Sequence, residues 1–190
     1  MSATSAPFGL RPAFHPSGLD RAQALADGIA SAYNTDILKG QPVKLNSSGN
    51  IVVAAAGDAF QGAFAGVEWT DTTGRRRVNN SWPANTAYQA GSCVAYFYND
   101  PNIVYEIQAA GSLAQTSVGD MADLSNTTSG STTTGLSQCM ISTSLVGSGA
   151  VGDLRIINLT PQVDNAWGDA YTVVQVQVSR SQYVATVNAF

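Results

Sequence analysis

The run YTVVQVQV, Tyr171 to Val178, leaves the chain little choice of conformation. Val174, Val176 and Val178 alternate with Gln175 and Gln177, and β-branched side chains are stiff at χ1, so the segment is a strand with one apolar face. Uncharged Gln on the other face suits a wet subunit interface as well as it suits solvent. The same pattern recurs along most of the chain beyond Asn34. Val43 and Leu45 alternate with Lys44, NSSGN supplies a turn, and Ile51 to Val53 returns as a branched run, which together predict a hairpin. Ala63 to Trp69, Arg75 to Asn79, Thr86 to Tyr98 and Ile103 to Gln108 read as further strands, followed by Cys139 to Leu145 and Leu154 to Leu159. This spacing predicts a mainly β protein, a small barrel or sandwich.

Two segments interrupt the pattern. The first 18 residues hold three of the seven prolines and two glycines, which forbid a continuous helix or a central strand and predict an extended arm. Phe8, Leu10 and Phe14 are apolar groups that such an arm cannot bury on itself, so they cover the chain's own barrel or dock on a partner. LSNTTSGSTTTGLS has a composition that buries almost nothing and predicts a long exposed loop over 125–137. Between arm and first hairpin, Ala22, Leu25, Ala26, Ile29, Ala32 and Tyr33 recur at helical spacing, with Asp20 and Gln23 resembling a capping box. Leu25, Ile29, Tyr33 and Ile37 equally share one face of an extended strand, so helix and strand stay open over 20–33, with a short helix running into an extended segment preferred. The domain expectation is an arm over 1–19, a first β-barrel-like half over 20–100 and a second β-rich half over 101–190, with NDPN at Asn99 to Asn102 as the seam. One continuous domain is the alternative.

Charge narrows the function classes. Only 12% of residues are charged, against about 25% in an average protein, and the net charge is -4. No basic field exists to hold nucleic acid, and no apolar run reaches the roughly 18 residues of a membrane helix. A sparsely charged surface suits a protein that spends its life against other protein. Cys93 and Cys139 sit in apolar runs and are expected as buried free thiols, with a disulfide between them as the alternative.

Candidate chemistry is thin. GSGAVG, Gly147 to Gly152, matches a dinucleotide-binding glycine pattern but runs into DLRIINL, a strand, so it reads as a hairpin turn. His15 is the only histidine, and a mobile, proline-flanked arm offers its ring neither packing nor a carboxylate. One His and two distant Cys make no structural zinc site. Asp120, Asp123, Asp164 and Asp169 read as turn caps rather than acid–base pairs or calcium ligands. Arg75, Arg76 and Arg77 form the only basic cluster, expected to meet acidic groups on a protein neighbour or to line a wet strand. No cofactor and no catalytic constellation is expected.

The stretch ILKGQPVKLNSSGNIVVAAAGDAFQGAFAGVEWTD, with its Gly-x-Pro-Val-x-Leu strand, turn, second strand and Gly-rich return to Gly66 and Val67, resembles the core of tailed-bacteriophage head decoration (capsid cement) proteins. APFGLRPAFHPSG, SVGDMADL and GDAYTVVQVQVSRSQY resemble phage structural proteins of the same kind. The resemblance implies a β-barrel or β-tulip-like protein with an extended N-terminal arm and at most one or two short helices. It implies a place on the outer face of an icosahedral head in the virion, made in a host bacterial cytoplasm, commonly as homotrimers, stabilising the expanded shell. The arm would order on the major capsid protein or on a neighbouring subunit. Contact residues expected on this reading are Phe8, Leu10, Arg11 and Phe14, then Arg75, Arg76 and Arg77. The alternative is a receptor- or glycan-binding module of a phage tail or fibre, with Trp69, Trp82, Tyr88, Tyr96 and Tyr98 as an aromatic platform.

Overall fold

The structure, a computed structural model, describes residues 2–18 and 21–185. In chain order the first strands are β1 (Arg11–Phe14), β2 (Gln23–Ala26), β3 (Pro42–Leu45), β4 (Ile51–Val53), β5 (Gly62–Thr70), β6 (Arg76–Asn79) and β7 (Val94–Phe97). There follow β8 (Val104–Gln108), β9 (Met121–Ser125), β10 (Gly130–Ser131), β11 (Leu136–Ser137), β12 (Met140–Leu145), β13 (Leu154–Leu159) and β14 (Val173–Val178). The helical content of the described residues is one 3-10 turn, Gln115–Ser117. The protein is mainly β and built from antiparallel sheets, as the period-two runs require.

One six-stranded sheet runs β2-β7-β5-β3-β4 with β6 paired to the outer half of β5; the other runs β1-β8-β14-β13-β9-β12. In the second sheet one parallel bridge, Ala109 to Ile141, brings β12 against the chain just past β8, so the sheet curls toward itself without closing into a barrel. Each sheet has its own core. Ile29, Ile37, Val43, Phe64, Val67, Trp69 and Trp82 fill the first. Tyr105, Ile107, Leu124, Ile141, Ile156, Val174 and Val176 fill the second, joined by Leu10, Phe60 and Ala63 from the first part of the chain. In β14 the expected division holds: Val174, Val176 and Val178 are buried and Gln175 and Gln177 half-buried.

Three devices weld the sheets together. Gly62 sits where β5 passes under Tyr98: a Cβ there would lie 2.2 Å from the Tyr98 carbonyl oxygen, so only glycine permits the crossing. The Asp153 carboxylate, fully buried, accepts the Gly57 N–H at 2.9 Å and the Leu124 N–H at 3.0 Å. Arg180 lies 3.5 Å from it and donates to the Gly57 carbonyl, so the loop after β4 is tied to β9 and to the end of β14. Burial pushes the Asp153 carboxyl above its ordinary range, opposed by those N–H groups.

The third device is the N-terminal segment, extended as expected, whose Leu10 takes the first of the two alternatives and covers the protein's own core. Residues 11–14 pair with β8 and residues 23–26 with β7, so the segment crosses both sheets antiparallel to Val94–Gln108. Upstream, the Ala6 N–H donates to Gln108 Oε1 at 2.8 Å, the Tyr171 N–H donates to the Ser2 carbonyl at 2.7 Å, and the Leu10 N–H donates to the Gly40 carbonyl at 2.8 Å. Prolines did not prevent this, because Pro12 lies on the sheet's edge strand, where a missing donor costs no ladder bond.

Four further expectations are revised. In place of the expected helix, the described part of 20–33 holds a strand over Gln23–Ala26, to which the open edge of β7 supplies backbone partners, followed by turns with positive φ at Asp27 and Ala32; Leu25, Ile29, Tyr33 and Ile37 share the first core, while Asp20 of the expected capping box lies outside the described residues. The strand expected over 86–98 begins only at Val94, because Asn85 and Gly91 take positive φ and the Ser92 hydroxyl bonds the Gln89 carbonyl in a turn. The Ser/Thr-rich segment is pinned: β10 pairs with β11, the Gln41 amide donates to the Thr127 carbonyl, and Ser137 is buried. Gly147 to Gly152 links β12 to β13, which flank β9 instead of pairing, so it is a connection across one strand and not a hairpin turn.

Candidate protein-interaction surface

The arginine cluster lies on the β5–β6 hairpin. Its turn is organised by Asp71, whose carboxylate accepts the Thr73 hydroxyl at 2.6 Å, the Thr73 N–H at 2.9 Å and the Arg75 N–H at 3.0 Å, with Arg77 Nε at 3.0 Å on the other oxygen. These bonds, the Thr73 hydroxyl first, hold the Asp71 carboxyl far below its ordinary range. Trp69 pairs with Arg77 and Val67 with Asn79. Asp71 and Arg75 are joined by a backbone bond of 2.9 Å, so the ladder's alternation turns the backbone groups of Arg76 and Val78 away from β5. Beyond them lies an open edge. All four residues of β6 are exposed, Val78 by 75%.

Two of the arginines already have partners in the chain. Arg76 reaches Glu68 at 2.5 Å, which lowers the Glu68 carboxyl, and Arg77 reaches Asp71. Both stay at least half exposed, and Arg75 has no ion pair among the described residues. An exposed edge strand carrying cations is guarded against casual pairing, yet it is open to an extended acidic segment.

The four N-terminal candidates separate. Leu10 is completely buried in the protein's own second core, so its expected role as a contact residue gives way to self-docking. Arg11 pairs with Glu106 at 2.5 Å and lies over the Phe8 ring at 4.5 Å. Phe14 is 46% exposed at the end of β1 and remains available. Phe8 and Arg11 line a groove of about 320 Å³ whose walls include Leu10, Phe64 and Leu136 and whose far rim carries Lys39. Gly9 and Gly40, both at positive φ, let the two backbones meet there; a Cβ on Gly9 would sit 2.5 Å from the Gly40 carbonyl oxygen. Sequence reading missed this groove, since Leu136 and Lys39 meet through a parallel bridge between segments nearly a hundred residues apart.

It also misjudged His15. The ring is largely covered, and its Nε2 lies 3.1 Å from Asp100, so it has both the packing and the carboxylate that an arm was expected to deny it. The Ser17 N–H donates to Nδ1 at 3.0 Å and the Ser17 hydroxyl lies at 2.6 Å, which leaves Nδ1 as acceptor and the proton on Nε2 facing Asp100. The Ser–His–Asp order invites a catalytic reading. A serine nucleophile, however, needs N–H groups for the developing oxyanion, and Ser17 spends its own on the ring. The arrangement locks the turn after β1 to the Asn99–Asn102 turn.

Other candidates resolve into structure. Cys93 and Cys139 are buried free thiols in different cores, and burial pushes the Cys139 thiol up to about 12. Asp169 accepts the Ser2 hydroxyl and the Ala166 N–H, capping a turn as expected, and both bonds lower its carboxyl. Among the described residues no group of three or more His, Cys, Asp or Glu side chains is placed to hold a metal ion. No helix among them is long and apolar enough to cross a membrane. Trp69 and Trp82 are buried and meet edge to face at 5.6 Å, and Tyr88 packs on Trp82, so these rings form core and not an exposed platform. The geometry defines an antiparallel β protein whose polar features serve surfaces and seams. Comparison with known proteins gave no match to any family model, curated protein or solved structure.

Proposed function

We propose that the protein is a structural, non-enzymatic component of a phage virion, a decoration or cement protein that binds the outer surface of an icosahedral head and stabilises its expanded shell. The major capsid protein and further copies of this chain, as a homotrimer, are the partners. What carries the reading is the β6 edge: a strand exposed on every residue, its outward backbone groups and the Arg75 guanidinium without partners among the described residues, and Val78 bare. Such an edge accepts an extended segment by strand addition, and its arginines select carboxylates on that segment. Many copies of a modest contact, repeated over a shell, bind strongly through multivalency. The charge-poor surface and the resemblance of the Ile37 to Asp71 stretch to decoration proteins support the same reading.

The test is cosedimentation with empty expanded heads lacking the protein. Saturable binding at a fixed ratio to capsid subunits, with a raised head melting temperature, is expected. A folded protein that leaves the heads bare overturns the proposal.

A further inference from the structure

Among the described residues of the second half, one apolar side chain is fully exposed. Val163, between β13 and β14, is 102% exposed, more than any other large hydrophobic residue described. Its loop is rigidly held. Asn165, buried beneath, donates to the Thr160 carbonyl at 2.9 Å and the Val173 carbonyl at 2.7 Å, and accepts the Val173 N–H at 3.0 Å. The Ser2 hydroxyl bonds the Asp164 carbonyl at 2.6 Å. The neighbouring Asp164 side chain is exposed, and its carboxylate has no hydrogen bond or ion pair among the described residues. A preorganised loop offering an apolar knob beside a free carboxylate loses little conformational entropy on binding.

The groove described above is the complement. Its walls are apolar, its volume of about 320 Å³ admits a side chain, and its rim carries Lys39, which is exposed and has no ion pair among the described residues, and Arg11. Other bare apolar residues fit it less well: Val78 follows three arginines, which Lys39 and Arg11 would repel, and Phe14 borders His15. Val163, being fully exposed, does not fill the groove of its own chain. We propose that the groove between Phe8 and Leu136 receives the Val163–Asp164 tip of a second copy, with Asp164 against Lys39, joining copies head to tail. Knob and groove are different patches of one surface, so the contact is heterologous and closes into a ring if its rotation closes. This deepens the self-association in the reading above and rests on it, while being independent of the capsid contact at β6.

The experiment is a cysteine pair. Leu136→Cys with Val163→Cys, oxidised at high protein concentration, should give intermolecular disulfide-linked species ending at the closed ring, whereas either substitution alone stops at dimers. The native thiols are buried and do not compete. In sedimentation, Asp164→Lys should weaken self-association about tenfold or more by setting like charges together, and adding Lys39→Glu should restore it. A double-cysteine protein that behaves as the single variants do, or a wild type whose association ignores both charge reversals, overturns the contact. If cross-linking succeeds while heads stay bare, only the capsid reading falls; if heads bind while cross-linking fails, only this contact falls.

Discussion

The N-terminal segment and the β5–β6 hairpin carry similar side chains, a few bulky apolar groups beside arginines, and meet opposite fates. Arg11 and Arg76 each make a cross-strand ion pair with a glutamate at 2.5 Å, Arg11 with Glu106 directly opposite and Arg76 with Glu68 on the diagonal. The first segment nevertheless lies across two sheets with Leu10 in the core, whereas β6 touches one strand and buries none of its residues. Composition does not separate them. Backbone partners do: β7 and β8 form a long edge that the N-terminal segment covers, and nothing among the described residues covers the outer edge of β6. The N-terminal segment is part of the fold, and the outer edge of the hairpin stays uncovered by the described residues.

The largest expected effect tests the first half of that contrast. Leu10→Ala should cost about 3 kcal/mol, as for a fully buried leucine whose site does not collapse, and removal of residues 2–14 should abolish cooperative unfolding. A deletion that keeps the wild-type melting temperature would return the segment to the status of an arm. Gly62→Ala should cost a comparable amount, about 3 kcal/mol, because the Tyr98 carbonyl occupies the space its methyl needs.

The second test is asymmetric by design. Replacing Arg75, Arg76 and Arg77 by Ala should change stability by less than about 1 kcal/mol, since exposed ion pairs contribute little, yet remove head binding in cosedimentation. Arg11→Ala should also be mild in stability, because Arg11 is half exposed, and should leave head binding intact. Equal loss of head binding from Arg11→Ala and from the triple variant would erase the distinction between the two regions.

The sequence carried the strands and not their neighbours. Period-two runs such as Val174 to Val178 announce their own conformation, because alternation and burial are local. The extended state of Gln23 to Ala26 depends on β7, some seventy residues later, and helical spacing competed with it until that edge was present. His15 looked idle because its carboxylate, Asp100, is supplied by a distant turn. The arginines were legible as a cluster, but their pairing with Glu68 and Asp71 follows from hairpin register. The groove at Lys39 and Leu136 and the bare Val163 leave no local signal, since each is defined by what the other described residues leave uncovered.

The smallest effect sets the two regions against pH. Asp71 holds the hairpin turn and Asp169 holds Ser2, and hydrogen bonds push both carboxyls below the ordinary aspartate value of about 3.9. A carboxyl lowered in the folded state contributes stability above its unfolded pKa and loses it as pH falls through the folded one. Acid below about pH 4 should therefore loosen both turns. The consequences differ, because the N-terminal segment retains Leu10, the Gly40 bond and the β8 ladder, whereas the hairpin retains only its pairing with β5. Amide exchange, corrected for intrinsic rates, should accelerate at Arg75 and Arg77, whose N–H groups are bonded, as the pH is lowered while Leu10 and Arg11 stay protected. Parallel acceleration in both would mean that the N-terminal segment, too, is held chiefly by its polar anchors.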